Sequence, residues 1–533
     1  KREDEIGSLG ITYTSNTNTL IENYLTYELD LGKHHATFLA GYTFQETFYK
    51  SRWWDYEDFP DNGVAPKYQI GAGKELSRGS DAVKDELQSF FARVNYSFAN
   101  KYMFTATMRG DGSSKFGENN KYGYFPSASM GWNIGREDFM METPFTNLKL
   151  RASWGQTGNQ EIPSKITQAS YTDSRNDNDT YPLGGVINSI EDYPYGTVYT
   201  RLANPDIQWE VSTQLNVGVD FGLFENKLTG TVDYFNKVSE NVLLEVVPSD
   251  PIQPTTTYWT NIPDMEIRNR GIEVSLDYSS TADQNDFAYQ IGGNLAITKN
   301  QVENSPYKVL TTGAAQGAGQ TGSTINGYLN GEPIGAFYMK DFTGIDANGF
   351  SEFRDVNGDG EILDDDRTVV GSAIPDAVYA FYVKLFYKNF DLGLNFNGVT
   401  GNQIYNHTAM SNFTKGNLAL AYNTTDKAIE YPEEAINNTN EVSTRYLEDG
   451  DFLRLNNATL GYNLDPKFLA MEKYVQNIRF SVTGQNLFVI TKYSGYDPEV
   501  NTGTVSGDIQ TFGIDRFTYP KARTFVFGVN LSF

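Results

Sequence analysis

The segment "DVNGDGEILDDD" carries the clearest chemical signal in the sequence, because its oxygen-bearing side chains have the spacing of a calcium loop. The predicted ligands are Asp355, Asn357, Asp359, Glu361 (through its carbonyl) and Asp366. Gly360 falls where such a loop must turn sharply. Hard oxygen ligands at this spacing suit Ca²⁺, so the sequence predicts a structural calcium site that would hold a long loop in place.

Two features set this loop apart from an EF-hand. The closing ligand is Asp366, whereas an EF-hand closes with a longer Glu. No amphipathic helix is evident on either side of the loop. The alternative interpretation is an acidic turn that binds no metal.

Composition excludes several other kinds of chemistry. The 533 residues contain no cysteine and three histidines, so thiol catalysis, disulfides and Cys-ligated zinc are ruled out, and a His-dependent triad is poorly supplied. No nucleophile and base occur together in a recognisable motif, and we expect no enzymatic activity. The net charge of −25 disfavours nucleic acid as a partner, because phosphate binding depends on Lys and Arg.

Aromatic residues concentrate in segments predicted to be long loops. The candidates for substrate binding are Trp53, Trp54, Tyr56, Tyr195, Tyr258, Trp259 and Tyr405. Such rings could stack on sugars or on peptide side chains. The alternative is ordinary packing within the loops, or an aromatic girdle at a membrane boundary.

The elements that must position these residues are strands, because apolar and polar residues alternate with a period of two along most of the chain. We count about sixteen such segments, the first two at 6–14 and 19–30. Aromatic residues make up 14% of the chain, yet the mean hydropathy is −0.48 and no apolar run is long enough for a transmembrane helix. A transmembrane β-barrel accounts for both facts, because its strands need only alternate.

The connections between the predicted strands alternate between short and long. The long ones fall near 49–86, 157–211, 238–268, 300–375, 401–450 and 491–522. Outer-membrane barrels have short periplasmic turns and long extracellular loops. With the C-terminus in the periplasm, every long connection would be extracellular. A large soluble β protein, such as a propeller or tandem sandwiches, would not explain this asymmetry.

Several segments, in order, resemble the SusC/RagA-type TonB-dependent transporters of the Bacteroidetes outer membrane. The matching stretches are "NYSFANKYMFTATMRGDGSSKFGENNKYGYFPSASMGWNIGREDFM", "LKLRASWGQTGNQEI", "NPDIQWEVSTQLNVGVDFGLFENKLTGTVDYFNK", "FRDVNGDGEILDDDRTVVGSAIPD", "YLEDGDFLRLNNATLGYNL", "RFSVTGQNLFVITKYSGYDPEV" and "YPKARTFVFGVNLSF". The resemblance spans nearly the whole chain.

The resemblance implies an all-β antiparallel barrel of about 22 strands with a plugged lumen. It also implies a SusD-like surface lipoprotein, energy supplied through TonB, and oligosaccharides or oligopeptides as substrates. On this interpretation residues 1–533 are the C-terminal part of the barrel. The plug that contacts TonB and the first barrel strands would lie outside the chain, and lipid would cover the outer face. A passive porin and a surface protein that binds glycans or peptides remain as alternatives.

Overall fold

The computed structural model describes residues 7–60, 63–174, 196–246, 258–280, 287–317, 320, 322–422, 424–470, 473–503 and 510–533. Its main feature is one antiparallel sheet of fifteen strands, each beside its neighbours in chain order. The strands are β1 (Gly7–Leu31), β2 (His34–Phe59), β3 (Lys74–Phe98), β4 (Tyr102–Ser113), β5 (Tyr122–Asn133), β6 (Phe145–Asn159), β7 (Glu210–Leu223), β8 (Leu228–Glu240), β9 (Glu266–Ser279), β10 (Ala288–Glu303), β11 (Ala377–Tyr387), β12 (Phe390–Thr400), β13 (Phe452–Leu464), β14 (Asn477–Thr491) and β15 (Thr524–Ser532).

Smaller elements lie in the connections between these strands. The short strands are Ser170–Ser174, Gly196–Arg201, Leu243–Val246, Tyr258–Asn261, Leu310–Ala314, Thr324–Tyr328, Ala336–Met339, Phe342–Ile345, Ser351–Phe353, Thr368–Ser372, Gln403–Asn406, Leu447–Asp449 and Ile514–Asp515. The α-helices are α1 (His407–Asn412) and α2 (Lys415–Ala419). Single 3₁₀ turns cover Pro66–Tyr68, Ile70–Ala72, Ile134–Arg136, Asp138–Met140, Asp364–Asp366, Asp426–Ile429, Thr444–Tyr446 and Pro466–Leu469. No helix in the described part of the chain has the length and apolar character needed to cross a membrane.

The predicted strands are confirmed except at the start of the chain. The segments predicted as two strands, 6–14 and 19–30, form the single strand β1, so the sheet has fifteen strands and not sixteen. The polar run from Ser15 to Asn18 does not interrupt pairing, because Ser15 lies opposite Lys50 and Asn18 opposite Thr47 in an unbroken register. Ladder hydrogen bonds depend on the backbone, so a polar stretch can continue a strand whose neighbour is in place.

The alternation of short and long connections is also found. The short connections, at one end of the sheet, include 32–33, 99–101, 224–227 and 388–389. The opposite end carries 160–209, 241–265, 304–376, 401–451 and 492–523, together with the shorter 60–73 and 114–121. The long connection predicted at 49–86 was wrong in extent, because β2 continues to Phe59 and β3 begins at Lys74. We refer to these as the short-connection end and the long-connection end.

The two faces of the sheet differ in chemistry. On the apolar face, exposed side chains follow one another across strands: Val217, Tyr234, Ile272 and Ile297 lie opposite one another in turn. Their exposed fractions lie between 44% and 52%. The opposite face, the polar face, carries ion pairs such as Arg151 with Asp220. A sheet that leaves apolar side chains uncovered on one face and charges on the other suits a barrel in lipid with a wet interior.

The buried core lies mainly in the long connections and not between layers of sheet. We distinguish three apolar clusters there. The first loop cluster is Ala315, Ile325, Phe337, Met339, Tyr405, Ala409, Met410, Val442, Tyr446 and Ile514. The second is Phe116, Phe125, Ile162, Ile166, Ile207, Trp209, Leu243 and Trp259, and the third is Val242, Leu244, Val246, Ile262, Met265, Val302 and Tyr328. Each cluster joins several connections, so the long-connection end is a packed structure.

Candidate functional site

Ion pairs on the polar face are built across glycines. Arg151 on β6 contacts Asp220 on β7 at 2.7 Å and Asp233 on β8 at 2.9 Å. Gly218 lies directly between Arg151 and Asp233 in the strand register. A Cβ at position 218 would lie 2.1 Å from Asp233 Oδ1 and 2.9 Å from Arg151 Nη2. Position 218 therefore requires glycine, because any larger side chain would occupy the space in which the Arg151–Asp233 ion pair crosses β7.

The same arrangement recurs on the polar face near the C-terminal strands. Arg479 on β14 pairs with Asp391 on β12 at 2.5 Å, passing over β13. A Cβ at Gly461 would lie 2.3 Å from the Asp391 carboxylate and 2.5 Å from Arg479 Nη2. The repeated arrangement gives the polar face a wall of fixed, mutually neutralised charges.

A cavity of about 360 Å³ opens on the polar face at the long-connection end. Its lining includes Arg109, Asp111, Gln156, Gln160 and Trp209, and we call it the Arg109 cavity. It offers a cation, a carboxylate and two amides beside Trp209, of which only a small part is exposed. Such a lining suits a polar, uncharged or zwitterionic ligand such as a sugar or a peptide.

The polar groups of this cavity are held in place by their neighbours. Arg109 Nε lies 2.8 Å from both carboxylate oxygens of Asp111, and Nη2 donates to Ser89 Oγ at 3.0 Å. Trp209 stacks on Phe116 with ring centroids 4.3 Å apart, and its indole N–H donates to the Lys121 carbonyl at 3.1 Å. The cavity is therefore preorganised, because its charged and aromatic groups both have fixed orientations.

Sequence reasoning missed the Arg109 cavity. The one local signal for this cavity was the alternation along β4, which places Arg109 and Asp111 on the polar face. Nothing local to the sequence shows that Trp209, about a hundred residues away along the chain, packs beside them.

The aromatic candidates in the first predicted loop lie on a strand. Trp53, Trp54 and Tyr56 belong to β2, which continues to Phe59, so their placement in a loop was wrong. Trp54 makes an edge contact with Tyr13 at 6.0 Å, and Trp53 lies against Gly79, where a Cβ would come within 2.1 Å of the indole. Cross-strand packing of this kind extends β1, β2 and β3 toward the long-connection end.

The other aromatic candidates are mostly buried. Tyr405 is fully buried in the first loop cluster, edge-on to Tyr446 at 6.5 Å, and burial raises its pKa well above the ordinary value. Trp259 is 9% exposed in the second loop cluster, and Tyr258 packs at the edge of the third. Tyr195 lies outside the described residues. The structure does not bring the described candidates to one surface, and the role of all seven in substrate binding stays a prediction.

The predicted metal loop is closed by hydrogen bonds to its own backbone. Asp355 accepts from the backbone N–H groups of Gly358 at 2.6 Å and Gly360 at 2.9 Å, and Asp359 accepts from that of Glu361 at 2.8 Å. Both glycines have positive φ, at 77° and 86°, which only glycine adopts without strain. The predicted sharp turn at Gly360 is therefore present.

Asp366 has a structural role in this loop. Its side chain is buried and accepts from the backbone N–H of Leu363 at 2.9 Å and of Val356 at 2.8 Å. These hydrogen bonds lower its pKa below the ordinary value. The remaining predicted ligand, Asn357, bridges Asp359 and Asp365 through its amide at 3.0 Å. The loop is flanked by strands Ser351–Phe353 and Thr368–Ser372 and not by paired helices.

The predicted ligands of the loop have the chemical type that Ca²⁺ prefers, but their side chains are not arranged around a common point. The oxygen-rich side chains are those that Ca²⁺ prefers, and each carboxylate oxygen that accepts one hydrogen bond retains a further lone pair. However, no group of three or more His, Cys, Asp or Glu side chains within the described ranges is arranged to hold a metal ion.

Comparisons with known proteins agree on one family. A match to the family "TonB dependent receptor-like, beta-barrel" covers residues 4–487. The chain is 33% identical, over 99% of its length, to TonB-dependent receptor P3 of Formosa agariphila. It is 30% identical, over 85% of its length, to TonB-dependent receptor SusC of Bacteroides thetaiotaomicron. It covers 53% and 44% of these two proteins, so it spans about half the length of the curated relatives it matches.

A solved structure described as that of the RagAB peptide transporter has the same fold. It superposes with a TM-score of 0.81 at 24% identity, over 99% of this chain and 56% of that chain. Together with the family match, this superposition confirms the predicted all-β outer-membrane barrel.

Proposed function

Because the chain belongs to the TonB-dependent receptor β-barrel family and is of the SusC/RagA type, we propose that it serves in the import of oligosaccharides or oligopeptides across the outer membrane. The polar face would line the lumen, and the apolar face would contact lipid. The long connections would be extracellular and the C-terminus periplasmic. A SusD-like surface lipoprotein would cover the long-connection end, and TonB would supply energy through a plug.

The observation that carries this proposal is the Arg109 cavity. It opens on the polar face, lies at the end proposed to be extracellular, and combines hydrogen-bonding side chains with the small exposed part of Trp209, whose side chain is otherwise buried. These features suit recognition of a neutral or zwitterionic oligomer as it enters the lumen. The role needs no covalent chemistry, because binding and gated passage account for it.

Uptake of labelled oligosaccharides and oligopeptides in intact cells tests the proposal. We expect uptake that requires both TonB and the lipoprotein. Arg109→Gln should raise the substrate concentration needed for half-maximal uptake, because it removes the cation from the cavity. Lys149→Gln is the matched control, since Lys149 is a cation on the polar face of β6 that does not line the cavity.

Two outcomes would favour the alternatives. Ion conduction in a planar bilayer, together with uptake that persists without TonB, would indicate a passive porin. Binding of an oligomer at the cell surface without any uptake would indicate a surface binding protein.

We also propose that Asp355, Asn357, Asp359, Asp366 and the Glu361 carbonyl take up a structural Ca²⁺ ion. The loop chemistry and the turn at Gly360 support the proposal. Removal of calcium should then increase protease cleavage within residues 340–375. Unchanged cleavage, with no calcium detected in the purified protein, would contradict it.

A further inference from the structure

A second cavity, of about 630 Å³, lies on the apolar face of the sheet. Arg270 on β9 and Lys299 on β10 line it, and they lie directly opposite each other in the strand register. Ile272, two residues after Arg270, and Ile297, two residues before Lys299, form the next pair on the same face and are about half exposed. The two cations therefore project from the same face as the apolar residues.

The cations lie at one boundary of the apolar band. Toward the short-connection end, the apolar band on β9 runs through Ile272 and Leu276 to Tyr278. The ring centroids of Tyr278 and of Tyr289 on β10 are 5.7 Å apart. The eight steps from Arg270 to Tyr278 span about 20 Å along the membrane normal, allowing ~3.4 Å per step and a tilt of roughly 40°. This height is close to the ~25 Å of an outer-membrane band. The tyrosines mark its short-connection boundary, and the cations mark the other.

Neither cation of this pair forms an ion pair with another residue in the described part of the chain. Like charges directly opposite each other on neighbouring strands destabilise a sheet. The next cation along the same face, Arg268, is neutralised by Glu266 at 3.1 Å and by Glu303 at 3.0 Å. Arg270 and Lys299 form no such ion pair with a described residue, although the cavity is also lined by Asp376. In a chain of net charge −25, two adjacent cations without an ion-pair partner among the described residues favour binding of an anion from outside the protein.

We propose that this cavity binds an anionic lipid of the surrounding leaflet, with its phosphate bridging Arg270 and Lys299. One acyl chain lies along Tyr234, Ile272 and Ile297, which line the same cavity immediately inside the band. The cations supply charge-assisted hydrogen bonds to the phosphate, and the apolar wall selects a lipid over a free anion. The lipid places negative charge between two cations that would otherwise repel each other. It thereby stabilises the pairing of β9 with β10.

The proposal depends on the barrel lying in a membrane and not on what it transports. Failure of the import proposal would therefore leave it untouched. The competing explanation is that each side chain extends separately toward any headgroup, as cations near membrane boundaries do. In that case, neither the pairing nor the shape of the cavity would matter.

Native mass spectrometry of the intact protein in detergent distinguishes these explanations. The probes are monophosphorylated lipid A, phosphatidylcholine, and inorganic phosphate. We expect retention of the lipid A, weak binding of phosphatidylcholine, and no competition by inorganic phosphate at equal concentration. Arg270→Gln and Lys299→Gln should each weaken lipid A binding about fivefold, and the double variant about 25-fold, from the usual contribution of a basic residue at a membrane surface.

Two control variants separate charge from folding. Arg268→Gln removes a cation from the same face that already has carboxylate partners, and should change binding less than twofold. Arg270→Lys keeps the charge and should retain binding. The proposal fails if the double variant binds lipid A like the wild type, if phosphatidylcholine binds equally well, if Arg268→Gln weakens binding as strongly, or if inorganic phosphate displaces the lipid.

Discussion

Replacing Arg445 with methionine should open the connection between β12 and β13, because it leaves a buried carboxylate without its counter-charge. Arg445 and Glu434 are joined by two parallel hydrogen bonds of 2.7 and 2.8 Å, and their side chains are 8% and 3% exposed. The guanidinium also lies over the rings of Phe342 and Tyr431, at 5.4 and 5.0 Å from their centroids. Since Phe342 belongs to the β10–β11 connection, the pair also links two long connections.

The magnitude follows from burial. Burial raises the pKa of Glu434, but hydrogen bonds from Arg445 and Asn438 outweigh it and hold the pKa below its ordinary value. Removing one partner of a buried ion pair costs about 3–5 kcal/mol, which corresponds to roughly a 100- to 5,000-fold larger population of locally opened molecules. The effect should be confined to the connections, because the barrel strands are held by their own ladders.

Native-state proteolysis measures this change. Thermolysin cleavage within residues 401–451 of the detergent-solubilised protein, followed by mass spectrometry, reports the open population when closing is faster than cleavage. Arg445→Met should raise the cleavage rate by at least 100-fold. The double variant Arg445→Met with Glu434→Leu should recover most of the loss, because an apolar pair carries no uncompensated charge. A single variant less than tenfold faster, or a double variant as labile as the single one, would refute the reasoning.

Three further predictions concern acid and sterics. Burial, together with the nearby charge of Arg516, lowers the pKa of His407 from 6.5 to about 4. As the pH falls from 6.5 to about 4, the unfolded chain therefore binds a proton before the folded protein does, and the loop clusters should lose up to about 3 kcal/mol of stability. Thermal melting at a series of pH values measures this loss. Gly218→Ala should destabilise the barrel by about 1–3 kcal/mol through overpacking, whereas Gly393→Ala, which meets nothing within 4 Å, should leave the melting temperature unchanged. The pKa of Asp366 is lower in the folded protein than its ordinary value of 3.8. The stabilising contribution of this carboxylate is therefore present above pH 3.8 and is lost as the pH falls through the lower folded pKa. Protease cleavage within residues 340–375 should increase as that contribution is lost.

Each of these predictions has a contrary result. A His407→Gln variant with the same pH dependence as the wild type would assign the acid effect to other groups. Equal melting temperatures for the two glycine variants would remove the steric argument for Gly218. An Asp366→Asn variant whose cleavage is no faster than that of the wild type at neutral pH would show that the backbone hydrogen bonds of this carboxylate do not hold the loop.

The strands were predictable because alternation is a local property. Phe525, Phe527, Val529 and Leu531 occupy the apolar phase of β15, and the structure leaves all four exposed on one face. The error at the start of β1 arose because a polar run looks like a break, although ladder hydrogen bonds do not depend on side-chain polarity.

The roles of individual aromatic residues were not predictable. Tyr405 is buried because Ile325 and Ile514, from connections about eighty and about a hundred residues away along the chain, pack around it. The Arg109 cavity likewise needs Trp209 from a different connection. Long-range contacts of this kind leave no periodic signal in the sequence, because they depend on how separate loops fold over the end of the sheet.

The sequence by itself determined the class of fold, the order of the strands, the apolar and polar faces, and the end at which the long connections lie. These follow from the period of side-chain alternation and from where it stops, which are properties of neighbouring residues. Only the tertiary structure decided which residues share a cavity, and which charges are neutralised. Arg268 and Arg270 are both arginines on the same face of β9, two residues apart. Arg268 has two carboxylates within reach and Arg270 instead faces Lys299, because strand register and not residue type chooses the partner.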